Sequence, residues 1–193
     1  YFDEANLLAA AVWAHLVCAE NTPYEQVRAL QWPGRMHEVH SEASGNTWLL
    51  EGAHNPSGMD VSCSELMEDP RWRLPWTLLL GSTPQKDMEA MLAPLVDMCK
   101  QHPPEAIVLT EPQFGRYPGV PCETLEAVLR GKGLEVSASY PQPDDAVAWI
   151  ETRQTNSTTD HSVLCIGSLY LQGNVLQALG ADDNEALAIV AKD

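Results

Sequence analysis

The sequence is poor in basic residues, with 11 Lys and Arg against 27 Asp and Glu, and its formal net charge is −16. A surface with this excess of negative charge repels polyanions at neutral pH, which excludes nucleic acids and anionic membranes as expected partners. Any anionic substrate would have to be held by a local cluster of Arg, Lys and backbone N–H groups. The few Arg and Lys side chains are therefore the candidates for binding an anionic substrate.

Long apolar runs are also missing, since no stretch approaches the roughly 18 to 20 residues needed to span a bilayer, and no basic segment of an export signal precedes the first apolar stretch. The five cysteines are odd in number and widely spaced, without a CxxC pair. This argues for reduced thiols and against a zinc site or a disulfide framework. We expect a soluble, cytoplasmic protein with no metal ligands of its own. Because the sequence opens without Met, inside a predicted helix, we also expect a piece of a longer protein.

The 193 residues, 45% of them hydrophobic, suit one domain with a small appendage. Helical spacing of apolar residues predicts helices over 3–19 and 23–30, and a Pro-Gly break at 33–34 follows them. Beyond the break, the predicted strands are 36–40, 47–50, 76–80, 106–109, 134–137 and 163–166. The predicted helices are 58–67, 86–100, 121–130, 144–155 and 169–179.

This alternation of short apolar strands with helices predicts an α/β, Rossmann-like domain. The sheet is expected to be mostly parallel, with one antiparallel hairpin strand and with helices on both faces. The predicted organisation has three parts: a helical segment at 1–31, the α/β domain at 32–181, and an acidic tail at 182–193.

Ligands of such sheets bind beyond the carboxyl ends of the strands. The segment from Glu51 to Asn55 leaves an apolar strand there and brings an acid, a His and an Asn together, next to small residues that let a ligand approach. A plain turn with a helix cap is the structural alternative. Arg35 follows the Pro-Gly turn and suits a bidentate grip on phosphate or carboxylate, although an isolated Arg in a linker is more often a surface residue.

Several short motifs occur in the order and rough spacing of a known domain. They are Pro33-Gly34-Arg35, Glu51-Gly52-Ala53-His54-Asn55-Pro56, Lys86-Asp87 after Gly81, Thr110-Glu111-Pro112 with Arg116, and Gly167-Ser168-Leu169-Tyr170. Together they resemble the carboxy-terminal domain of folylpolyglutamate synthases, a family of the Mur ligase superfamily. The likeness covers nearly the whole chain, and the stretch 1–31 resembles the end of the family's amino-terminal ATPase domain.

The resemblance implies an ATP-dependent ligase that adds L-glutamate to folate or folylpolyglutamate. In such a reaction the terminal carboxylate of the folate is phosphorylated, and the amine of glutamate attacks the acyl phosphate. Some members of the family also make dihydrofolate, and the sequence leaves this second activity open. ATP and Mg²⁺ are the implied cofactors, with the metal ligands mostly in the amino-terminal ATPase domain, which would be the partner in cis.

The resemblance also implies roles for residues on the nucleotide side of the site. Arg35 corresponds to a phosphate-contacting, catalytic Arg. Glu51 occupies the position of an Asp that holds the sugar or base of the nucleotide, and its extra methylene is a departure from the family pattern. Asn55 is expected to contact the nucleotide or to fix the loop.

On the substrate side, His54 corresponds to a catalytic residue near the incoming glutamate and the acyl phosphate. Ser168 is expected to make a second contact with substrate. Arg116 is a third candidate for substrate contact, with a structural salt bridge as the alternative.

A phosphate loop that ends in Gly-Lys-Ser or Gly-Lys-Thr is absent from the sequence, because Gly131-Lys132-Gly133 lacks the hydroxyl residue. We therefore expect the isolated chain not to catalyse ligation. Two alternatives remain open: a stand-alone module that binds nucleotide or substrate, and the carboxy-terminal domain of another Mur ligase.

Overall fold

The computed structural model of the chain describes residues 32–69, 75–154 and 161–182, so the predictions for 1–31 and for nearly all of the tail lie outside the described residues. The strands are β1 (His37–His40), β2 (Thr47–Glu51), β3 (Trp76–Leu80), β4 (Ala106–Thr110), β5 (Ala138–Tyr140) and β6 (Ser162–Ile166). The helices are α1 (Pro56–Glu68), α2 (Met88–Gln101), α3 (Cys122–Gly131), α4 (Pro143–Gln154) and α5 (Leu169–Ala178).

The six strands form one sheet in the order β1-β2-β6-β3-β4-β5. β1 pairs with β2 in antiparallel orientation, and every other neighbouring pair is parallel. The last strand in sequence, β6, therefore lies between β2 and β3. This confirms the predicted α/β class, the mostly parallel sheet and the antiparallel hairpin strand.

Helices cover both faces of the sheet, as the apolar strands predict. On one face, α1, α2 and α3 bury residues such as Met59, Leu95 and Leu125 against the sheet. On the other face, α4 and α5 contribute residues such as Val147 and Val175 to a second core. Within the described parts of the chain, the helices are too short or too polar to cross a membrane.

The fifth strand differs from its prediction. Residues 134–137 were predicted as a strand, but pairing with β4 begins only at Ala138. Leu134 and Val136 instead lie partly buried against the first core, and the Ser137 backbone N–H donates to the carbonyl oxygen of Ile107 at 2.8 Å. The apolar residues that suggested a strand therefore serve to pack the segment that leads into one.

Three helices begin at capping residues on the carboxyl side of the sheet. Asn55, Asp87 and Ser168 each accept a hydrogen bond from a backbone N–H in the first turn of α1, α2 and α5, at 2.8, 2.9 and 3.2 Å. Such caps satisfy N–H groups that have no partner within the helix. The loops that follow β2, β3 and β6 are thereby short and anchored, which holds the strand-end residues in place.

Four of the five cysteines lie within the described residues. Cys63, Cys99, Cys122 and Cys165 are free and buried. Burial raises the pKa of Cys63, Cys99 and Cys122 to about 12. These side chains act as small core residues in the neutral thiol form.

Candidate functional site

A cavity of about 370 Å³ opens at the carboxyl end of β2, beside the first turns of α1. Its lining residues come from the turn before β1, the loop after β2, and α1. They are Arg35, Ala53, His54, Asn55, Ser57, Gly58, Val61 and Ser62. Three of the six side chains that the sequence predicted for the site thus share one cavity.

Close backbone packing brings the turn before β1 against the loop after β2. The Gly52 N–H donates to the Gly34 carbonyl oxygen at 2.8 Å. A Cβ at Gly52 would lie 2.3 Å from Cδ2 of Leu169 and 3.0 Å from that same carbonyl oxygen, so no larger residue fits there without displacement. Gly34 itself has φ +72°, which favours glycine. These two glycines let Arg35 lie directly beside the end of β2.

The carboxylate of Glu51 is buried behind Arg35. Its side chain is 0% exposed, and Oε1 lies 3.2 Å from Nη1 of Arg35, whose side chain is 30% exposed. The Met36 backbone N–H donates to Oε2 at 2.9 Å. Burial raises the pKa of Glu51, while the Met36 N–H, Arg35 and a hydrogen bond with Ser62 oppose that rise. The ion pair therefore faces the protein on its acidic side and the cavity on its basic side.

His54 and Asn55 occupy the loop that connects β2 to α1. Nδ1 of His54 lies 2.8 Å from the Gly52 carbonyl oxygen. Because a carbonyl can only accept, this contact assigns the proton of the neutral ring to Nδ1 and leaves Nε2 as an acceptor. The side-chain oxygen of Asn55 accepts from the Gly58 N–H, so this residue caps α1 while it lines the cavity.

Ser168 lies at the carboxyl end of the neighbouring strand, β6, and is 1% exposed. Its hydroxyl accepts from the Tyr170 N–H and caps α5. Gln172, one turn further along α5, donates to the carbonyl oxygens of both Glu51 and Ser168, at 3.1 and 3.0 Å. Gln172 thus connects the ends of β2 and β6. It was missed in the sequence, where only its position four residues after a predicted cap could have drawn attention to it.

Arg116 lies in the loop after β4 and is exposed, outside the group that lines the cavity. Its guanidinium carbon lies 5.6 Å from the ring centroid of Tyr117. The loop is attached to α5 by Asn174, whose side chain accepts from the Gln113 N–H at 2.9 Å. Three aromatic side chains are exposed in this region, a feature that the sequence analysis did not identify: Phe114 at 91%, Tyr117 at 58% and Tyr170 at 43%.

The cavity combines one guanidinium, one imidazole and the amino-terminal end of a 13-residue helix. A helix start carries partial positive charge and, together with Arg35, suits an anion such as phosphate. Across the described residues, no group of three or more His, Cys, Asp or Glu side chains is arranged to hold a metal ion. The geometry therefore favours binding of an anionic ligand and offers no complete metal site within these residues.

Solved structures with a similar fold include folylpolyglutamate synthases. The enzyme of Thermotoga maritima superposes with a TM-score of 0.62 at 22% identity, over 88% of this chain and 36% of its own. The Mycobacterium tuberculosis enzyme, complexed with ADP and AMPPCP, superposes with 0.64 at 20% identity, over 89% and 38%. This chain has the fold of a folylpolyglutamate synthase carboxy-terminal domain. The Yersinia pestis enzyme, complexed with AMPPNP and Mn, aligns over 80% of this chain at 23% identity, with a TM-score of 0.58, and over 33% of its own.

The chain spans between 33% and 38% of the length of these enzymes. No protein-family model matches its sequence, and no curated protein matches it. The likeness at these levels of identity concerns the fold.

Proposed function

We propose that this chain is the carboxy-terminal domain of an ATP-dependent ligase that adds L-glutamate to folate through an acyl phosphate. The observation that carries the proposal is the meeting of Arg35, His54 and Asn55 in one cavity at the carboxyl end of β2. Ligands of open α/β sheets bind at such strand ends. The fold likeness, which extends over nearly nine tenths of the chain, supports the same assignment.

Arg35 is proposed to grip the phosphate groups of the nucleotide. Its Nη1 is paired with Glu51, but a guanidinium carries five N–H donors in a rigid fork, so donors remain for a phosphate in the cavity. The first turn of α1 adds the partial positive charge of a helix start at the same place. Such fixed donors stabilise charge that develops on a transferring phosphoryl group.

His54 is proposed to act as the base for the incoming glutamate. With its proton on Nδ1, the neutral ring has Nε2 free to take a proton from the amine as the amine nitrogen attacks the acyl phosphate carbon. The new C–N bond forms, the bond to the phosphate oxygen breaks, and phosphate leaves with the electron pair. Ser168 and Arg116 remain proposed contacts on the substrate side, and Asn55 a proposed contact with the nucleotide.

The described residues suit the two implied cofactors differently. The cavity fits the phosphate groups of ATP, because it offers a guanidinium and a helix start. A bound Mg²⁺ would neutralise phosphate charge, but these residues present no three-ligand group for it, so its ligands are assigned to the remaining part of the ligase. On this proposal the isolated chain does not catalyse ligation by itself.

The proposal is tested with Arg35→Ala and His54→Ala, each in this chain and in the longer ligase that is proposed to contain it. Arg35→Ala is expected to weaken ADP binding to the chain, measured by calorimetry, by about tenfold or more, because a charge-assisted hydrogen bond is lost. His54→Ala is expected to leave ADP binding nearly unchanged and to lower kcat of the ligase by about a hundredfold or more. His40→Ala, on an exposed position of β1, is the matched control.

Two results would contradict this assignment. An unchanged kcat in the His54→Ala ligase would remove the proposed base. Folate-dependent ATP hydrolysis by the isolated chain would show that catalysis does not require the rest of a ligase.

A further inference from the structure

The surroundings of Glu51 differ from those of a residue that contacts a ligand. Its side chain has no exposed surface, and its two oxygens are occupied by Arg35 Nη1 at 3.2 Å and the Met36 N–H at 2.9 Å. Arg35, in contrast, is 30% exposed and lines the cavity. The guanidinium of Arg35 therefore lies between the buried carboxylate of Glu51 and the cavity.

We propose that Glu51 is a positioning residue, which fixes the guanidinium of Arg35 toward the cavity and does not itself touch the sugar or base of the nucleotide. The ligand in this inference is that of the proposed function, on which it rests. A flexible Arg loses side-chain entropy when it binds phosphate, and a carboxylate that already holds the guanidinium reduces that loss. Glu51 would therefore act on phosphate binding through Arg35.

The length of the side chain supports this role. The backbone at Glu51 is held on both sides, since its carbonyl oxygen accepts from Gln172 and the next N–H donates to Gly34. An Asp at this position would end about 1.5 Å short, the length of one C–C bond. With the backbone held, a shorter acid could not reach Arg35 and the Met36 N–H together. The Glu that departs from the family pattern is the residue that this arrangement requires.

The backbone around Arg35 is shaped for the same contact. Gly34 has φ +72° and Met36 has φ +44°, so Arg35 lies between two residues in the left-handed region. A non-glycine residue adopts this conformation rarely and needs compensation from its surroundings. At Met36 the conformation accompanies the N–H bond to Glu51. One carboxylate therefore holds both the side chain of Arg35 and the turn that carries it.

The test compares the binding of ADP, 2′-deoxy-ADP and adenosine to the chain and to the variants Glu51→Gln, Glu51→Asp, Arg35→Ala and Arg35→Ala/Glu51→Gln. Glu42→Gln, an exposed charge change in the β1–β2 turn, is the control. A positioning role predicts that Glu51→Gln and Glu51→Asp each weaken ADP binding by about tenfold, because the phosphate contact loses its orientation. Adenosine binding and the ratio of ADP to 2′-deoxy-ADP affinity should stay unchanged, and the double variant should bind no more weakly than Arg35→Ala.

Direct contact with the sugar predicts a different pattern. Glu51→Gln would then abolish the preference for ADP over 2′-deoxy-ADP, and its effect would add to that of Arg35→Ala. Tighter ADP binding by Glu51→Asp would also overturn the proposal, because it would show that the shorter acid of the family pattern serves the ligand better. Thermal unfolding of each variant verifies that it is folded.

A nuclear magnetic resonance measurement separates this inference from the proposed function. The Arg35 Nη1–Hη1 signal, assigned by its loss in Arg35→Ala, should be sharp and slowly exchanging in the unmodified chain and in Glu42→Gln, because Nη1 donates to Glu51. In Glu51→Gln it should be averaged with the other guanidinium protons by rotation of the group. If no form of the chain binds ADP but the signal follows this pattern, nucleotide binding fails and the positioning of Arg35 stands. If the signal stays sharp in Glu51→Gln, the positioning role is refuted whatever the ligand.

Discussion

The replacement Glu151→Ala should destabilise the fold far from the candidate site. Glu151 lies in α4, and its carboxylate accepts four hydrogen bonds from the β1–β2 hairpin. The donors are the Ser41 hydroxyl, the Ser44 hydroxyl at 2.9 Å, Asn46 Nδ2 at 2.9 Å and Trp48 Nε1 at 2.9 Å. This single side chain attaches the hairpin, whose second strand leads to Glu51 and His54, to the helix behind it.

The magnitude follows from the burial of the donors. Asn46 and Trp48 are 1% and 0% exposed, so their N–H groups would be left without a partner, at about 1 to 3 kcal/mol each. The two serine hydroxyls can turn toward water and add less. We expect a loss of about 3 kcal/mol in the free energy of unfolding. For a chain of this size that corresponds to a decrease of about 6 to 12 °C in Tm.

The effect should depend on pH. Although burial raises the pKa of Glu151, the hydrogen bonds from Ser41, Asn46, Trp48 and Ser44 outweigh it and hold the pKa below the ordinary value of 4.5. A carboxylate with a lowered pKa in the folded state contributes stability above the ordinary pKa, and this contribution is lost as the pH falls through the lowered one. The difference in Tm between the two proteins should be largest at pH 7 and shrink below pH 4.5.

Calorimetric unfolding at several pH values measures both effects. The matched control is Glu126→Ala, which removes a helical glutamate that is 30% exposed and paired with the exposed Arg130 at 2.5 Å, and it should cost about 0.5 kcal/mol or less. An equal Tm decrease in the two variants would refute the reasoning, since it would show that water satisfies the donors of the hairpin as well as Glu151 does. A difference that persists unchanged at pH 3 would refute the electrostatic part alone.

Three further predictions concern other parts of the fold. Gly167→Ala should lower the unfolding free energy by about 2 kcal/mol or more, because φ is +115° and the new Cβ would lie 2.6 Å from the Gly81 carbonyl oxygen; urea unfolding measures this. Phe114→Asn should raise Tm by about 1 to 3 °C, because the side chain is 91% exposed and Asn tolerates φ +60° better; a lower Tm would mean that the ring is packed. Below pH 6.5 the free energy of unfolding should fall less steeply with decreasing pH in His161→Gln than in the unmodified protein. Burial lowers the pKa of His161, so the unfolded chain takes up its proton first as the pH falls; an unchanged pH profile would contradict this.

The fold was largely predictable because its signals are local. Strands such as Trp76–Leu80 and Ser162–Ile166 are short apolar runs, and their burial on both faces follows from a parallel sheet between helices. The helix that starts after Asp87 carries its own cap in the sequence. The shift of the fifth strand to Ala138–Tyr140 was not predictable in this way, because Leu134 and Val136 are apolar for contacts with the core that no local pattern specifies.

The candidate site was predictable in position and only partly in detail. The rule that ligands bind at the carboxyl ends of strands pointed to the loop after β2. In the structure, Arg35, His54 and Asn55 line one cavity at that place. The direction of the Glu51 side chain depends on the packing of the turn at Gly34 and Met36 against the end of β2, a contact between segments that no local pattern specifies. Likewise, Gln172 acquires its role only when β6 is inserted next to β2, a pairing between segments far apart in sequence.

Two carboxylates with many partners show how structure separates a scaffold residue from a candidate functional one. Glu151 is held by neutral donors of the β1–β2 hairpin that keep its pKa down, so it contributes to stability. Glu51 is fully buried with its pKa raised, which means that its charged form costs free energy in the fold. An ion pair with one buried member is weak support for stability, since apolar replacements of buried pairs are often neutral or stabilising. The Arg35–Glu51 pair instead holds a guanidinium in one orientation at the edge of the cavity. This geometry favours a role of the pair in anion binding over a role in stability.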